Sequence, residues 1–211
     1  MKIALITNAI YDPLPDWVRY TDATKAEYCR RQKTRHEMIY VRTSDMPHPE
    51  LHPMWQKPAI MLQYAKRFDW IIWMDADAGI NNQDADVPAY LATADNSRIV
   101  MSKGNLGWNA GVLAVPCTEP GLDWLRRWED LRNEPAYQTG WRDQHGVIAL
   151  IKENPSIVQI PPVELGWNCY PWMSPCPLTK RSWCLHMPNC SADRRTRTFR
   201  KLVEEQALTC R

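Results

Sequence analysis

Short apolar runs alternate with amphipathic stretches along most of the chain, at spacings typical of strands and helices. The run WIIWM at residues 70–74 has no polar position, so it predicts a strand that is covered on both faces of its sheet. Residues 163–190 follow no period and are predicted to be irregular. Predicted strands occupy 2–7, 38–43, 70–74, 97–103, 157–162 and the end of a glycine-rich segment at 104–116, and predicted helices occupy 22–37, 56–68, 86–95, 121–133, the later part of 138–154, and 195–208.

This alternation predicts an α/β protein with a mostly parallel central sheet flanked by helices. We expect one domain over residues 1–211, either complete in itself or the N-terminal module of a longer chain. In open sheets of this kind, ligands bind beyond the carboxyl ends of the strands. The ends of the predicted strands are therefore the place to look for chemistry.

The composition is that of an ordinary globular protein, with 45% hydrophobic and 24% charged residues. A formal net charge of +2 gives no electrostatic reason to expect nucleic acid or a membrane surface as a partner. No apolar run approaches the ~20 residues of a membrane-spanning helix, and the N-terminus lacks the pattern of a secretory signal. We therefore expect a cytoplasmic protein without a membrane span.

Cysteine and tryptophan usage adds two open questions. Seven cysteines form no CxxC pair, which favours reduced thiols, with one or two disulfides among the five cysteines between 169 and 210 as the alternative. Eleven tryptophans accompany only two phenylalanines, so most tryptophans must form core. Trp167, Trp172 and Trp183 lie in the irregular segment, where they are candidate platforms for acceptor sugar rings; a rigid wall is the alternative.

Two carboxylates, Asp75 and Asp77, directly follow the apolar run at 70–74. Alternate residues of an extended backbone point the same way, so both side chains can share one face at the end of the strand. Two carboxylates held this close repel one another unless a cation lies between them, and hard oxygen ligands suit Mg²⁺ or Mn²⁺. Gly79 would let the backbone turn away afterwards. A pair of turn or capping aspartates is the alternative.

Two metal-using families share an apolar strand followed by Asp-x-Asp. In phosphatases of the haloacid dehalogenase type, the motif lies near the N-terminus and a paired aspartate follows on a later strand, whereas here the motif is in mid-chain without that second pair. The second family shares further sequence blocks with this chain.

Four blocks appear in that family's order. They are HPMWQKPAIMLQYAKRFDWIIWMDADAGINN at 52–82, WNAGVLAVPCTEPGLDWLRRW at 108–128, RDQHGVIALI at 142–151 and LHMPNC at 185–190. With these blocks the chain resembles the GT-A-fold nucleotide-sugar glycosyltransferases, in their galactosyl-, xylosyl- and mannosyltransferase branch of plant xyloglucan and yeast mannan synthesis. Asn189 stands where the family has glycine. The chain also resembles the compact domains that large algal viruses encode within multi-domain glycosyltransferases.

The resemblance implies a GT-A fold with a Rossmann-like nucleotide-binding half and a divalent ion, Mn²⁺ or Mg²⁺. The resemblance places Asp75, Asp77 and His186 at the metal, and Thr7, Asn8, Lys57, Ala76, Asn109, Ala110, Gly111, Asn189 and Arg194 around the nucleotide-sugar donor, with Lys180 and Arg195 as further candidates at the phosphates. The alternative for His186 is a purely structural histidine, and the alternative for Lys57 is a solvated lysine.

Asp143 and Gln144 are the candidates for chemistry at the sugar. Asp143 would act as a base for the acceptor hydroxyl in an inverting transfer, or beneath the anomeric carbon in a retaining one, while Gln144 steadies the sugar. A helix N-cap is the alternative for Asp143. The implied reaction moves a hexose, pentose or deoxyhexose such as rhamnose from a UDP-sugar to a glycan hydroxyl. A nucleotide-sugar or glycan-binding module without turnover is the competing hypothesis.

Overall fold

A computed structural model describes residues 1–32, 36–104, 107–137, 140, 142–171 and 178–208. Strands and helices alternate through these ranges, as the sequence predicts. The elements are β1 Ile3–Asn8, α1 Asp16–Arg31, β2 His36–Val41, α2 Gln56–Tyr64, β3 Trp70–Met74, β4 Ala78–Ile80, α3 Val87–Thr93, β5 Ile99–Gly104, β6 Gly107–Pro116, α4 Glu119–Asp130, α5 Arg142–Glu153, β7 Val158–Gln159, β8 Cys184–His186 and α6 Ala192–Glu205.

Six strands form the main sheet in the order β2-β1-β3-β6-β5-β7. The pairs β1–β2, β1–β3 and β5–β7 are parallel, and β6 runs antiparallel to both of its neighbours. The predicted α/β class is confirmed, with a mixed and mostly parallel sheet flanked by helices. Because β3 lies between β1 and β6, the residues that follow β3 emerge at the centre of one sheet edge.

Both faces of the sheet are covered, which explains the unbroken apolar run of β3. On one face, Trp73 of β3 packs in a cluster with Met61 of α2, Trp128 of α4 and Val147 of α5. On the other face, Ile72 belongs to a cluster that includes residues of α1, α3 and β4. All five β3 side chains are therefore buried, as the absence of polar positions predicts.

A second, two-stranded sheet pairs β4 with β8 and was not predicted. Each of its strands has only three residues, too few to show a period. Gly79 lies inside β4, so the expectation that it turns the chain away is wrong. A Cβ atom there would lie 3.1 Å from Cε1 of Phe199 and 3.2 Å from Oγ1 of Thr24, so glycine permits close packing of α1 and α6 against this strand.

Helix α1 begins at Asp16 rather than at the predicted residue 22. Pro15 precedes it, and the added turn buries Trp17 and Val18 in a cluster with Phe199 and other residues of α6 and the adjoining loop. The buried contacts outweigh the weak local signal for a helix start, because tertiary packing supplies most of a helix's stability.

The two open questions about cysteine and tryptophan have clear outcomes in the described ranges. Cys169 is disulfide-bonded, so the reduced state holds for the four cysteines found free, not for every cysteine. Trp167 and Trp183 are 2% and 0% exposed and pack on each other, so neither can offer a face to a sugar. Trp172 lies outside the described residues. None of the described helices is long and apolar enough to cross a membrane.

Candidate functional site

The two aspartates leave β3 side by side at the edge of the main sheet. The amide of Asp75 donates to the carbonyl of Gly111 on β6 at 2.8 Å, and the amide of Ala78 donates back to the carbonyl of Asp75 at 3.1 Å. This turn carries the chain from β3 into β4, and both carboxylates line a cavity of about 530 Å³. The predicted shared face of Asp75 and Asp77 is therefore present.

The small sheet brings His186 to the same point. In the β4–β8 pairing, His186 lies opposite Ala78, directly after the acidic pair. One ligand atom from each of Asp75, Asp77 and His186 lies within 4.8 Å of the others. Two carboxylates and an imidazole are a donor set that Mn²⁺ and Mg²⁺ accept, so the residues present fit the expected divalent ion.

Gly111 makes room for this histidine. A Cβ atom on Gly111 would lie 2.2 Å from Cε1 of His186 and 2.9 Å from its Nε2. Any side chain at position 111 would therefore push the ring out of its place. The glycine expected beside the donor sugar is therefore required for the observed position of the His186 ring.

A buried asparagine that the sequence analysis did not single out orients His186. The Nδ2 of Asn168 donates to Oδ1 of Asn109 at 3.1 Å, which leaves Oδ1 of Asn168 to accept from Nδ1 of His186 at 3.0 Å. The histidine Nε2 then faces Asp77, at 3.3 Å from its Oδ1. Such a partner fixes the imidazole tautomer and leaves the second nitrogen free to bind a metal.

Two cations neutralise the carboxylates. The Nη2 of Arg195 donates to Oδ2 of Asp77 at 2.6 Å. Burial raises the pKa of Asp77, but His186 and Arg195 outweigh burial and lower that pKa to about 2. Lys57 lies between two carboxylates, with its Nζ 2.9 Å from Oδ1 of Asp75 and 2.8 Å from Oδ2 of Asp143. Each of the three carboxylates therefore has a cationic side chain within hydrogen-bonding distance.

The Lys57–Asp143 pair is deeply buried. The two side chains are 8% and 1% exposed. Burial raises the pKa of Asp143 against the opposing pull of Lys57, while the pKa of Lys57 is raised because the two carboxylates outweigh its desolvation. Asp143 is the second residue of α5, so it does not occupy the N-cap position proposed as its alternative.

A second buried lysine, Lys25 of α1, hydrogen-bonds to the backbone of Asp75 and was not predicted. Its Nζ donates to Oγ1 of Thr7 at 3.0 Å and to the carbonyl of Asp75 at 3.2 Å. Asp22 lies 3.5 Å away, and burial lowers the pKa of Lys25 although Asp22 opposes the shift. From sequence alone, Lys25 looks like one more basic residue on a solvated helix face.

The structure brings most of the predicted site residues to one cavity. Its lining includes Lys57, Asp75, Asp77, Asn109, Gly111, Asp143, Gln144, His186, Asn189 and Arg194. Five residues predicted around the donor do not line it. Thr7 is fully buried with its hydroxyl bonded to Lys25, Ala110 is buried in the core, Asn8 ends β1, and Ala76 is half-buried with its carbonyl accepting from Thr21. The fifth, Lys180, is exposed outside the cavity. The roles of all of these residues stay predictions.

The backbone conformation at Asn189 accounts for asparagine standing where the resembled family has glycine. Its φ angle is 57°, in the left-handed region that favours glycine and that asparagine also tolerates. The backbone at this position is therefore one that glycine would adopt as well. Asn189 keeps that geometry and adds an amide side chain at the cavity.

Comparison with known proteins decides the fold. The fold agrees with solved structures of glycosyltransferases over nearly the whole chain. The fold is that of the GT-A glycosyltransferases. A glycosyltransferase involved in the glycosylation of the major capsid of PBCV-1 superposes with a TM-score of 0.77 at 20% identity, covering 95% of this chain and 100% of that one.

Two further structures show the same fold at lower similarity. The galactosyltransferase LgtC, solved with donor and acceptor sugar analogues, gives a TM-score of 0.56 at 13% identity over 99% of this chain and 96% of its own. Mouse xyloside xylosyltransferase 1 gives 0.56 at 9% identity over 89% and 97%. Comparison with curated protein sequences gives no significant match.

The sequence comparison supports the predicted resemblance directly. Residues 11–96 match the model of the galactosyl transferase GMA12/MNN10 family, and the matched segment contains Lys57 and the Asp75–Asp77 pair. The resemblance to this family is confirmed for that segment. Both comparisons agree with the enzyme class predicted from the sequence, a glycosyltransferase.

Proposed function

We propose that this protein is a metal-dependent glycosyltransferase that moves a hexose, pentose or deoxyhexose from a UDP-sugar to a hydroxyl group of a glycan. The observation that carries the proposal is the convergence of Asp75, Asp77 and His186 at the centre of the sheet edge of a GT-A fold. Strand ends at such an edge are where open α/β sheets bind ligands.

The donor's diphosphate would lie beside these three residues. A bound Mn²⁺ or Mg²⁺ would offset the negative charge that grows on the diphosphate as the sugar–phosphate bond breaks. The same cavity is lined by Arg194 and Arg195 of α6, which supply positive charge, and by Asn189 of the preceding loop, which supplies an amide. Arg195 contacts Asp77 directly. We assign the end of β1, with Thr7 and Asn8, and the adjoining Ala76 to the nucleoside side.

The donor's sugar would lie between β6 and the start of α5. The Nδ2 of Asn109 donates to Oε1 of Gln144 at 3.2 Å, so Gln144 is held in place while it lines the cavity. Asp143 is more deeply buried and locked to Lys57. This difference supports Gln144 as the group beside the reacting carbon of the sugar. It supports the Asp143–Lys57 pair as a hydrogen-bonding partner of the sugar's hydroxyl groups.

The test is release of UDP from a panel of UDP-sugars, measured with Mn²⁺, with Mg²⁺ and with chelator. We expect at least one donor to be hydrolysed only with metal, and Asp75→Asn combined with Asp77→Asn to lower the rate about a hundredfold or more. Asp84→Asn, an exposed carboxylate outside the cavity, is the matched control and should leave the rate unchanged.

Three other outcomes would contradict the proposal. Metal-dependent UDP-sugar binding without hydrolysis or transfer supports the binding-module hypothesis. Hydrolysis of simple phosphomonoesters supports a phosphatase. A double aspartate variant that keeps wild-type hydrolysis overturns the metal assignment.

A further inference from the structure

Tryptophan burial singles out one residue. The described ranges contain nine tryptophans, and eight of them are at most 3% exposed. Trp108 is the exception among these nine, because it is half-buried and lines the cavity that contains the candidate site. An indole ring is large and apolar, so the folded protein gains by burying it. A ring left accessible beside a site therefore suggests a ligand that covers it.

The cavity lining includes two groups of neighbouring residues. The charged group is the acidic pair with His186 and Arg195. The second group is Trp108 with Gly107 and Gly104 on the paired strands β5 and β6, and Tyr170, whose Cε2 would lie 3.6 Å from a Cβ atom on Gly104. The ring of Tyr170 also lies 5.5 Å from the ring of His186, so the two groups adjoin. A diphosphate matches the charged group, and the second group matches a ligand with an apolar face.

The backbone holds Trp108 beside the proposed sugar position. It precedes Asn109, whose amide is bonded to Gln144. Gly107, on its other side, has a φ angle of 100°, and a Cβ atom there would meet nothing within 4 Å, so glycine is needed for the backbone rather than for space. Across the β5–β6 pairing, Nζ of Lys103 lies 5.7 Å from the centroid of the Trp108 ring.

We propose that Trp108 is the platform for the acceptor, and that the acceptor presents a pyranose ring whose C–H face packs on the indole. This inference rests on the proposed function, because it assumes that the donor's diphosphate lies beside the charged group. Trp108 then holds a neutral sugar next to Gln144 and the donor sugar, where an acceptor hydroxyl must be. Lys103 steadies the indole by a cation–π contact.

The first test observes the ring itself. Protein labelled with 5-fluorotryptophan gives one fluorine resonance per tryptophan, and Trp108→Phe identifies the resonance of Trp108. The labelled protein is titrated with methyl glycosides of glucose, galactose, xylose, mannose, fucose and rhamnose, in the presence of UDP and diamagnetic Mg²⁺. We expect at least one glycoside to shift the Trp108 resonance. A panel in which no glycoside moves it overturns the inference.

The second test separates acceptor from donor. The ratio of transfer to hydrolysis, measured with the active UDP-sugar and the glycoside that shifts Trp108, should fall about tenfold in Trp108→Ala and remain close to wild type in Trp108→Tyr. The matched control is Tyr64→Ala on α2, which also removes an aromatic ring beside a cation, Arg67, outside the cavity. It should leave the ratio unchanged.

Two results would contradict the acceptor assignment. If Trp108→Ala lowers hydrolysis and transfer equally, the ring serves the donor or the fold, because only an acceptor contact changes their ratio. If the ratio stays at the wild-type value, the ring contributes nothing to the acceptor. Failure of the proposed function looks different, since wild-type protein would then neither hydrolyse any UDP-sugar nor transfer its sugar.

Discussion

Removing the charge of Lys57 should destabilise the protein much more than removing its partner Asp143. In Lys57→Met, the buried carboxylate of Asp143, which is 1% exposed, loses the cation 2.8 Å from its Oδ2. In Asp143→Leu, Lys57 keeps Asp75 at 2.9 Å. The two variants therefore leave different charges behind, although they break the same ion pair.

The expected magnitudes follow from this difference. Breaking a buried pair so that one charge is left uncompensated costs about 3–5 kcal/mol. For a chain of 211 residues, that lowers the melting temperature by roughly 6–20 °C, at about 2–4 °C per kcal/mol. Asp143→Leu should cost clearly less. Lys57→Met combined with Asp143→Leu should also cost less than Lys57→Met alone, because no buried carboxylate then remains at position 143.

The loss in Lys57→Met should depend on pH. Burial raises the pKa of Asp143 above its unfolded value, and removing the cation that opposes burial strengthens this shift. The folded variant then binds more protons than the unfolded chain between those two pKa values, so its stability falls as pH rises through that window. Lowering the pH into the window should therefore return part of the stability.

The assay is urea and thermal unfolding of the wild type, the two single variants and the double variant, without metal or nucleotide. Equal destabilisation by the two single variants would refute the reasoning, because it would mean that Asp75 does not compensate the charge of Lys57 once Asp143 is removed. A double variant whose cost equals the sum of the single costs would refute it as well, since the residues would then not be coupled.

Three further predictions concern the metal ligand and the neighbouring loop. Gly111→Ala should weaken Mn²⁺ binding at least about tenfold because its Cβ displaces the ring of His186, and Mn²⁺ titration by electron paramagnetic resonance that finds wild-type affinity would contradict this. Asn168→Leu should weaken Mn²⁺ binding about 10–100-fold, and Asn168→Asp should weaken it less because it keeps an acceptor for Nδ1 of His186. Equal losses in the two variants would contradict the role of Asn168 in orienting His186. Asn189→Val should lower the free energy of unfolding by about 1–2 kcal/mol, because its φ angle is 57°, whereas Asn189→Gly should be nearly neutral in thermal unfolding.

The sequence was sufficient to predict the class of fold and the position of the acidic pair. Strand β3 and its two carboxylates carry a local signal. The apolar run predicts a buried strand, and burying two unpaired carboxylates directly after it would be costly unless the strand ends at a ligand-binding site. His186 was named through resemblance rather than through any local pattern. Its strand has three residues, and only its pairing with β4 brings it to Asp77.

Other parts of the site have no signal in the sequence. Lys25 and Asn168 act through tertiary hydrogen bonds to groups far away in the chain, and a single lysine or asparagine looks the same whether it is buried or solvated. Trp108 is one of eleven tryptophans, and only the packing of the others shows that it stays accessible. Such residues can be found only once the fold has placed their partners.

Mn²⁺ binding measured by electron paramagnetic resonance, with and without UDP, tests the central claim most directly. A cation shared by the protein and a diphosphate must be bound more tightly when UDP is present, and UDP must be bound more tightly when the cation is present. We predict this mutual strengthening in the wild type and its loss in His186→Ala. Mn²⁺ binding that ignores UDP, or that survives unchanged in His186→Ala, would contradict the account.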